Sequence, residues 1–151
     1  MASQTWYGCQ IPEDLLYDVE LNVWVRFEGD QAVIGMTDVS QTLCGRFVQV
    51  TWKRPGRTIK RGRGLLVVES AKWVGPVRSP LSGVIVENND SAFEADIAVA
   101  NRDPYGDGWL VCIQPTDLDE ERHHLDAGDL AFEKYRSFIE ENDIRCFRCE
   151  D

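Results

Sequence analysis

Lys72 is the residue of this 151-residue chain best placed to carry a chemical group. It stands in Glu69-Ser70-Ala71-Lys72-Trp73, between the apolar runs Leu65-Leu66-Val67-Val68 and Gly83-Val84-Ile85-Val86. Of the four lysines (Lys53, Lys60, Lys72 and Lys134), it alone falls in a short turn between strand-like runs. A turn lysine presents its amine to solvent, where a modifying enzyme can reach it. An amide formed there sets a flexible aliphatic stem on a rigid hairpin. An ordinary solvated lysine is the other reading of the same position. The remaining candidates are cysteines and histidines. Cys146-Phe147-Arg148-Cys149 is the one Cys-x-x-Cys pair among Cys9, Cys44, Cys112, Cys146 and Cys149. Thiol–disulfide exchange would suit such a pair, but no helix N-terminus follows it to lower a thiol pKa. Zinc would need four ligands, so Cys9, Cys44, His123 or His124 would have to converge on it. A structural, redox or metal role therefore stays open for the pair, and no metal ligand and no catalytic residue is assigned. His123-His124 reads as a solvated pair in an acidic linker. Cys112 lies in a strand run and reads as core. Cys44, next to Gly45, reads as buried rather than reactive. Asp103, Tyr105, Asp107 and Trp109 read as a closing turn.

The formal net charge is −10, but it is unevenly spread. Residues 117–151 hold twelve acidic and five basic side chains. Residues 53–64 hold six basic side chains (Lys53, Arg54, Arg57, Lys60, Arg61 and Arg63) and no acidic one. That stretch is either a solvated loop or a docking surface for an acidic partner, with Arg57 and Arg61 as its test positions. Nucleic acid is excluded as a partner, because the acidic remainder would repel phosphates and no binding motif accompanies the patch. No apolar run approaches the ~18 residues of a membrane span. The N-terminus lacks a basic start and an apolar stretch, so a cytoplasmic location is expected. Cytosolic cysteines would be reduced.

The elements that must position Lys72 are short and β-like. Runs at 22–27, 31–36, 46–53, 65–68, 83–87 and 109–113 are separated by Gly, Pro, Asn and Asp signals, the pattern of an antiparallel sandwich or flattened barrel. In 46–53, Val48, Val50 and Trp52 alternate with Phe47, Gln49 and Thr51. Arg54-Pro55-Gly56-Arg57 has Pro and Gly where a type II turn wants them. Three helical pieces interrupt the strands. One is capped by Thr37 or Asp38 and ends at Gly45. A second covers 91–99. The third covers 128–141, where Ala131, Tyr135, Phe138 and Ile139 form an apolar stripe. The last ten residues read as a mobile tail.

Val67-Val68-Glu69-Ser70-Ala71-Lys72 resembles a lipoyl attachment hairpin, and over residues 17–141 the chain resembles the glycine-cleavage H protein family. The resemblance is carried by Val25-Arg26-Phe27-Glu28-Gly29, Ile34-Gly35-Met36-Thr37-Asp38, Gln41, Gly45, Ser79-Pro80-Leu81-Ser82-Gly83-Val84 and Glu87-Asn88. Its most specific run is Asp103-Pro104-Tyr105-Gly106-Asp107-Gly108-Trp109-Leu110. It implies a mainly β, lipoyl-domain-like flattened sandwich with short helices and a C-terminal helix. The implied divisions are an N-terminal extension (1–16), the lipoyl domain (17–116), an acidic linker with the helix packed on it (117–141) and a tail (142–151). It further implies a non-catalytic carrier with lipoate in amide linkage to Lys72. Glu69 and Ser70 would shape the hairpin recognised by a lipoate ligase or lipoyl transferase, and Trp73 with Val74 would form an apolar floor at the arm's root.

The chain departs from the family pattern where His-Glu-Trp becomes Asn22-Val23-Trp24, where Trp73-Val74-Gly75-Pro76 follows the lysine, and at Thr42, Leu43 and Arg46. A cationic aminomethyl cargo needs an anion or water beside it, and Val23 supplies neither. In this the chain is similar to the H-protein-like lipoate-binding proteins of heterodisulfide-reductase-like bacterial sulfur oxidation, whose sulfur cargo needs no carboxylate. The expectation is accordingly a carrier in a sulfur-oxidation system with a heterodisulfide-reductase-like complex as partner. The alternative is the H protein of the glycine cleavage system, partnered by its enzymes. A non-lipoylated interaction module and a relay that passes lipoate to other carriers also remain.

Overall fold

The computed structural model describes residues 3–148. Its strands are β1 (Ser3–Trp6), β2 (Cys9–Pro12), β3 (Leu16–Asp18), β4 (Val23–Glu28), β5 (Gln31–Met36), β6 (Phe47–Trp52), β7 (Thr58–Ile59), β8 (Gly64–Ser70), β9 (Val74–Arg78), β10 (Gly83–Asn88), β11 (Val111–Pro115) and β12 (Asp126–Ala127). The helices are α1 (Asp38–Cys44), α2 (Asp90–Ala95), α3 (Val99–Arg102), α4 (Leu118–Glu121) and α5 (Gly128–Asn142), with a 3-10 turn at Arg122–His124. A seven-stranded sheet, ordered β12-β3-β4-β5-β11-β10-β7, faces a three-stranded sheet, ordered β6-β8-β9, and β1-β2 is a separate hairpin. The fold is the expected mainly β, flattened sandwich with a C-terminal helix.

The middle strands of the larger sheet are buried on both faces, and β4 shows why. Val23 and Val25 point into the sandwich with Ile34, Leu66 and Val68. Trp24 points the other way, into a second core with Tyr17, Ala131, Tyr135 and Ile139. The stripe on α5 supplies that second core, except for Phe138, which is 40% exposed. Each fully buried aliphatic side chain is worth about 1.5–3 kcal/mol, so covering the outer face converts a one-sided sheet into a two-layered core.

Several sequence expectations shift in physically readable ways. The alternation in β6 breaks, because the register slips between Phe47 and Gln49. That bulge turns Phe47 inward, to 1% exposure, and throws Val48 out, to 56%, as an inserted residue must. The helix expected over 91–99 is two helices; after α2, Asp96 turns to φ −155° and its carboxylate accepts from the Ala98 amide. The Arg54-Pro55-Gly56-Arg57 turn forms, with Gly56 at φ 93° and Arg57 N–H donating to Arg54 O. β9 lies outside the strand-like runs read from the sequence; it carries Pro76 and sits at the sheet edge, where a missing donor costs nothing.

The expectation of a mobile tail is corrected for residues 144–148. Ile144 is buried, Cys146 N–H donates to Tyr7 O at 3.0 Å, and Cys146 is disulfide-bonded to Cys9. The expectation of reduced cysteines is thereby corrected too, since only Cys44 and Cys112 are free thiols among the described residues. Cys149, the other half of the Cys-x-x-Cys pair, lies outside the described residues.

Candidate functional site

Lys72 sits at the tip of the β8–β9 hairpin, and one hydroxyl builds that tip. Ser70 N–H donates to Trp73 O at 2.8 Å, closing the turn. The Ser70 hydroxyl, only 6% exposed, donates to Cys44 O at 2.6 Å and accepts from the amides of Trp73 (3.1 Å) and Lys72 (3.3 Å). It therefore satisfies the turn's own donors and fastens the tip to the last carbonyl of α1, which a helix end leaves without an intrahelical partner. Glu69 is exposed, pairs across the ladder with Gln49 and Val74, and makes no side-chain hydrogen bond among the described residues. Its anticipated part in shaping the tip is thus limited to its place in the ladder.

α1 is the platform under the lysine. Thr37 caps it, its hydroxyl accepting from Ser40 N–H at 3.1 Å while donating to Asn22 Oδ1 at 2.7 Å. Gly45 ends it at φ 86°, a backbone that glycine adopts without strain. A Cβ added at Gly45 would stand 2.9 Å from Lys72 Cε, so the aliphatic stem of the lysine lies across this glycine. Asn101, 1% exposed, locks the joint from beneath: its amide donates to Gly45 O at 2.9 Å and Gln41 Oε1 at 3.2 Å, and its carbonyl accepts from Phe47 N–H at 2.9 Å. Sequence reasoning missed Asn101. Asn101 is two residues from the run that begins at Asp103, but nothing about an isolated asparagine announced a buried three-way joint.

Beside the hairpin lies an open cavity of about 400 Å³, walled by Leu21, Val23, Leu43, Cys44, Trp73 and Pro76, with Glu20 and Arg78 as its charged lining residues. Trp73 is anticipated as the floor; its indole folds back over Gly75, where an added Cβ would collide with the ring. Val74, in contrast, is 62% exposed and faces away. Val23 stands on the wall as expected. Glu20, which sequence reasoning did not single out, is the one carboxylate on that wall among the described residues. Burial pushes the Cys44 thiol up; the Ser70 hydroxyl and the charge of Lys72 pull it the other way. Cys44 is therefore a protonated wall residue at neutral pH, as its expected burial implied. Cys112 is likewise buried and shifted upward by burial.

The arrangement can present an amine on a fixed tip, with an apolar recess within a side chain's length of it. Lys72 is exposed and has no ion pair among the described residues. It thus fits a residue that is to be acylated. Elsewhere, Tyr105 closes the turn after α3, its hydroxyl donating to Gln10 O at 2.5 Å and accepting from Asp38 N–H at 2.9 Å, and the Asp107 amide donates to the Asp103 carboxylate. His123 and His124 are exposed, as anticipated. Among the basic residues, Arg61 is not available for docking, because its guanidinium donates to the buried Asp18 carboxylate at 2.7 Å. Among the described residues, no helix is long and apolar enough to cross a membrane.

The family described as glycine cleavage H-protein matches residues 15–141 of this chain. Over 95% of its length the chain is 43% identical to "Glycine cleavage system H protein 3" of Aquifex aeolicus (strain VF5), covering 91% of that relative. It is 40% identical to "Probable glycine cleavage system H protein 2" of Sulfolobus acidocaldarius, covering 97% of it. Among solved structures it superposes on a glycine cleavage system H protein from Mycobacterium marinum with a TM-score of 0.69 at 30% identity, covering 89% of this chain and all of the other.

Proposed function

The chain belongs to the glycine cleavage H-protein family, and on that premise we propose that Lys72 is its point of lipoyl attachment. Members of this family carry a covalent lipoyl-lysine and do no catalysis of their own; their partners are the glycine cleavage enzymes and a lipoyl ligase. The observation that supports Lys72 is its placement on a tip fixed by Ser70, with its stem across Gly45 and its amine in solvent. A lipoyl group held there supplies a dithiolane at the end of a flexible arm. The residues around it do the rest. Ser70 fixes the direction in which the stem leaves the sheet, Gly45 lets the stem lie flat, and Trp73, Val23 and Leu43 offer an apolar wall beside it. A tether of this kind keeps the carried group at high local concentration near each docked enzyme, so modest docking affinity suffices. A cytoplasmic site of action is part of this reading.

The reading of the cargo that the relatives support is the aminomethyl group of the glycine cleavage system. Glu20 is the observation in its favour within this chain, since a carboxylate lining the cavity, opposite in sign to the Arg78 that also lines it, can balance an ammonium that Val23 cannot. A sulfur cargo, with a heterodisulfide-reductase-like partner, is the second reading. It is favoured by the apolar character of the wall at Leu21, Val23 and Trp73. Incubation of the lipoylated protein with glycine, pyridoxal phosphate and its host's glycine decarboxylase decides between them. Aminomethyl loading as complete as that of an ordinary H protein supports the first; none, with the decarboxylase active on another H protein, refutes it.

A further inference from the structure

The outer face of the β6-β8-β9 sheet is uncovered among the described residues and runs from the Lys72 turn, past the Pro76 and Arg78 edge of the cavity, to a basic end. Thr51, Val67 and Pro76 form one cross-strand row on it, all three exposed. Val74 continues the apolar surface toward the Lys72 turn, and Arg78, opposite Gly64, continues it the other way. Beyond Arg78, at the same end of the sheet, stand the loops that carry Arg54, Arg57, Lys60 and Arg63. All four side chains are exposed, and none forms an ion pair among the described residues. Glu69 is the only carboxylate in these three strands.

The basic loops are not loose. Gly56 N–H donates to Ile85 O and Ile85 N–H to Arg57 O, at 2.7 and 2.9 Å. Gly62 N–H donates to Ser79 O and Ser79 N–H to Arg63 O, at 2.8 and 2.7 Å. Between them, Arg61 N–H donates to the Ser82 hydroxyl while its guanidinium holds Asp18. Backbone pairing on this scale holds the loops that carry four like charges at one end of the sheet, on a chain whose formal net charge is −10. Like charges gathered at one end of the sheet repel one another, and none of the four is ion-paired with a carboxylate among the described residues. An opposing charge from outside removes that repulsion. β8 spans the distance from this cluster to the Lys72 turn, roughly 20 Å at about 3.3 Å per residue. One enzyme surface can therefore cover the cluster and still leave the lysine end open.

We propose that this face is where an enzyme serving the lysine arm docks, its apolar patch on Val67, Pro76 and Val74 and its acidic border on Arg54, Arg57, Lys60, Arg63 and Arg78. The inference rests on the carrier reading for the nature of the partner, but not on the cargo or on occupancy of Lys72. An acidic protein is favoured over a nucleic acid because the charges border the apolar strip of Val67, Pro76 and Val74, which a phosphate backbone would not cover.

The test uses the full-length Lys72→Arg protein, which cannot be lipoylated at that position, so docking is measured apart from the arm. Its binding to the host's lipoate ligase and to each glycine cleavage enzyme is measured at low and high salt. The same is done with Arg57→Glu/Arg63→Glu and with Val67→Glu added to it. The double reversal is expected to weaken binding to at least one enzyme by about tenfold or more at low salt, with the difference shrinking at high salt. Val67→Glu is expected to weaken it at both. Equal affinity of all variants, or no binding of the parent to any of these enzymes, would overturn the proposal. So would salt-sensitive binding to a DNA or RNA duplex in place of an enzyme, or self-association in sedimentation that the reversals abolish. Lipoylation of wild-type Lys72, measured separately by mass, keeps a failure of docking distinct from a failure of the carrier reading.

Discussion

Ser70→Ala removes one oxygen and breaks three contacts at the attachment tip. The hydroxyl's bond to Cys44 O, at 2.6 Å, lies in a buried environment, so that carbonyl loses a partner that water cannot easily replace. Leaving a buried acceptor unpaired costs about 1–3 kcal/mol. The amides of Lys72 and Trp73 also lose their acceptor, but both residues are exposed, so water takes over at small cost. The expected destabilisation is about 2 kcal/mol, or roughly 4–8 °C in Tm for a chain of this size. Guanidinium unfolding with an unchanged m-value measures it. The second readout is the initial rate of lipoylation by the host ligase, which should fall because the stem no longer leaves the sheet in one direction. Glu69→Gln is the control: it alters the same turn without removing a hydrogen bond, and should stay within about 0.5 kcal/mol. A Ser70→Ala protein as stable as wild type and lipoylated at the same rate would refute the hydroxyl's role as the fastener of the tip.

Other expectations follow from the same geometry. Reduction of the Cys9–Cys146 bond, or Cys146→Ser, releases a closure spanning 137 residues; chain entropy sets the loss at up to about 5 kcal/mol, read as a lower denaturation midpoint in reductant, and an unchanged midpoint would contradict it. Tyr17 and Tyr135 are buried and Tyr105 is half-buried, and desolvation, the leading cause in each, raises their pKa values above the ordinary 10.0. The folded state therefore keeps protons that the unfolded chain loses. Stability should be undiminished below pH 10 and fall above it, with a limiting slope of about 4 kcal/mol per pH unit for three groups; a flat profile through that range would be inconsistent with their burial. Glu20→Gln should leave lipoylation untouched and reduce aminomethyl loading by up to about fivefold, the worth of an exposed ion pair near 1 kcal/mol. Equal loading would remove Glu20 from the cargo's surroundings.

Much of the frame was legible in the sequence because local signals and tertiary demands agree there. Thr37 and Gly45 bracket α1 as cap and terminator, and β5 runs over the residues its apolar pattern marks. Legibility failed where a non-local contact overrode a local pattern. The bulge in β6 depends on its partner strand, and β9 is tolerated only because Pro76 faces an open edge. The β1-β2 hairpin has a partner in α5 and the tail that no nearby residue foretells. The Cys-x-x-Cys spacing drew notice to Cys146 paired with Cys149, whereas the bond forms with Cys9, at the far end of the chain. At the site, Lys72 stood out by its place between strand runs, but the joint that steadies it, Asn101 beneath Gly45, exists only once α1, α3 and β6 meet.

The most direct measurement is the intact mass of the protein purified from its own host, with peptide mapping across residues 64–78. One lipoyl group, on Lys72 and on no other lysine, is the predicted result. An unmodified Lys72 in cells that lipoylate other carriers, or a lipoyl group on Lys53, Lys60 or Lys134, would contradict the assignment of the attachment site.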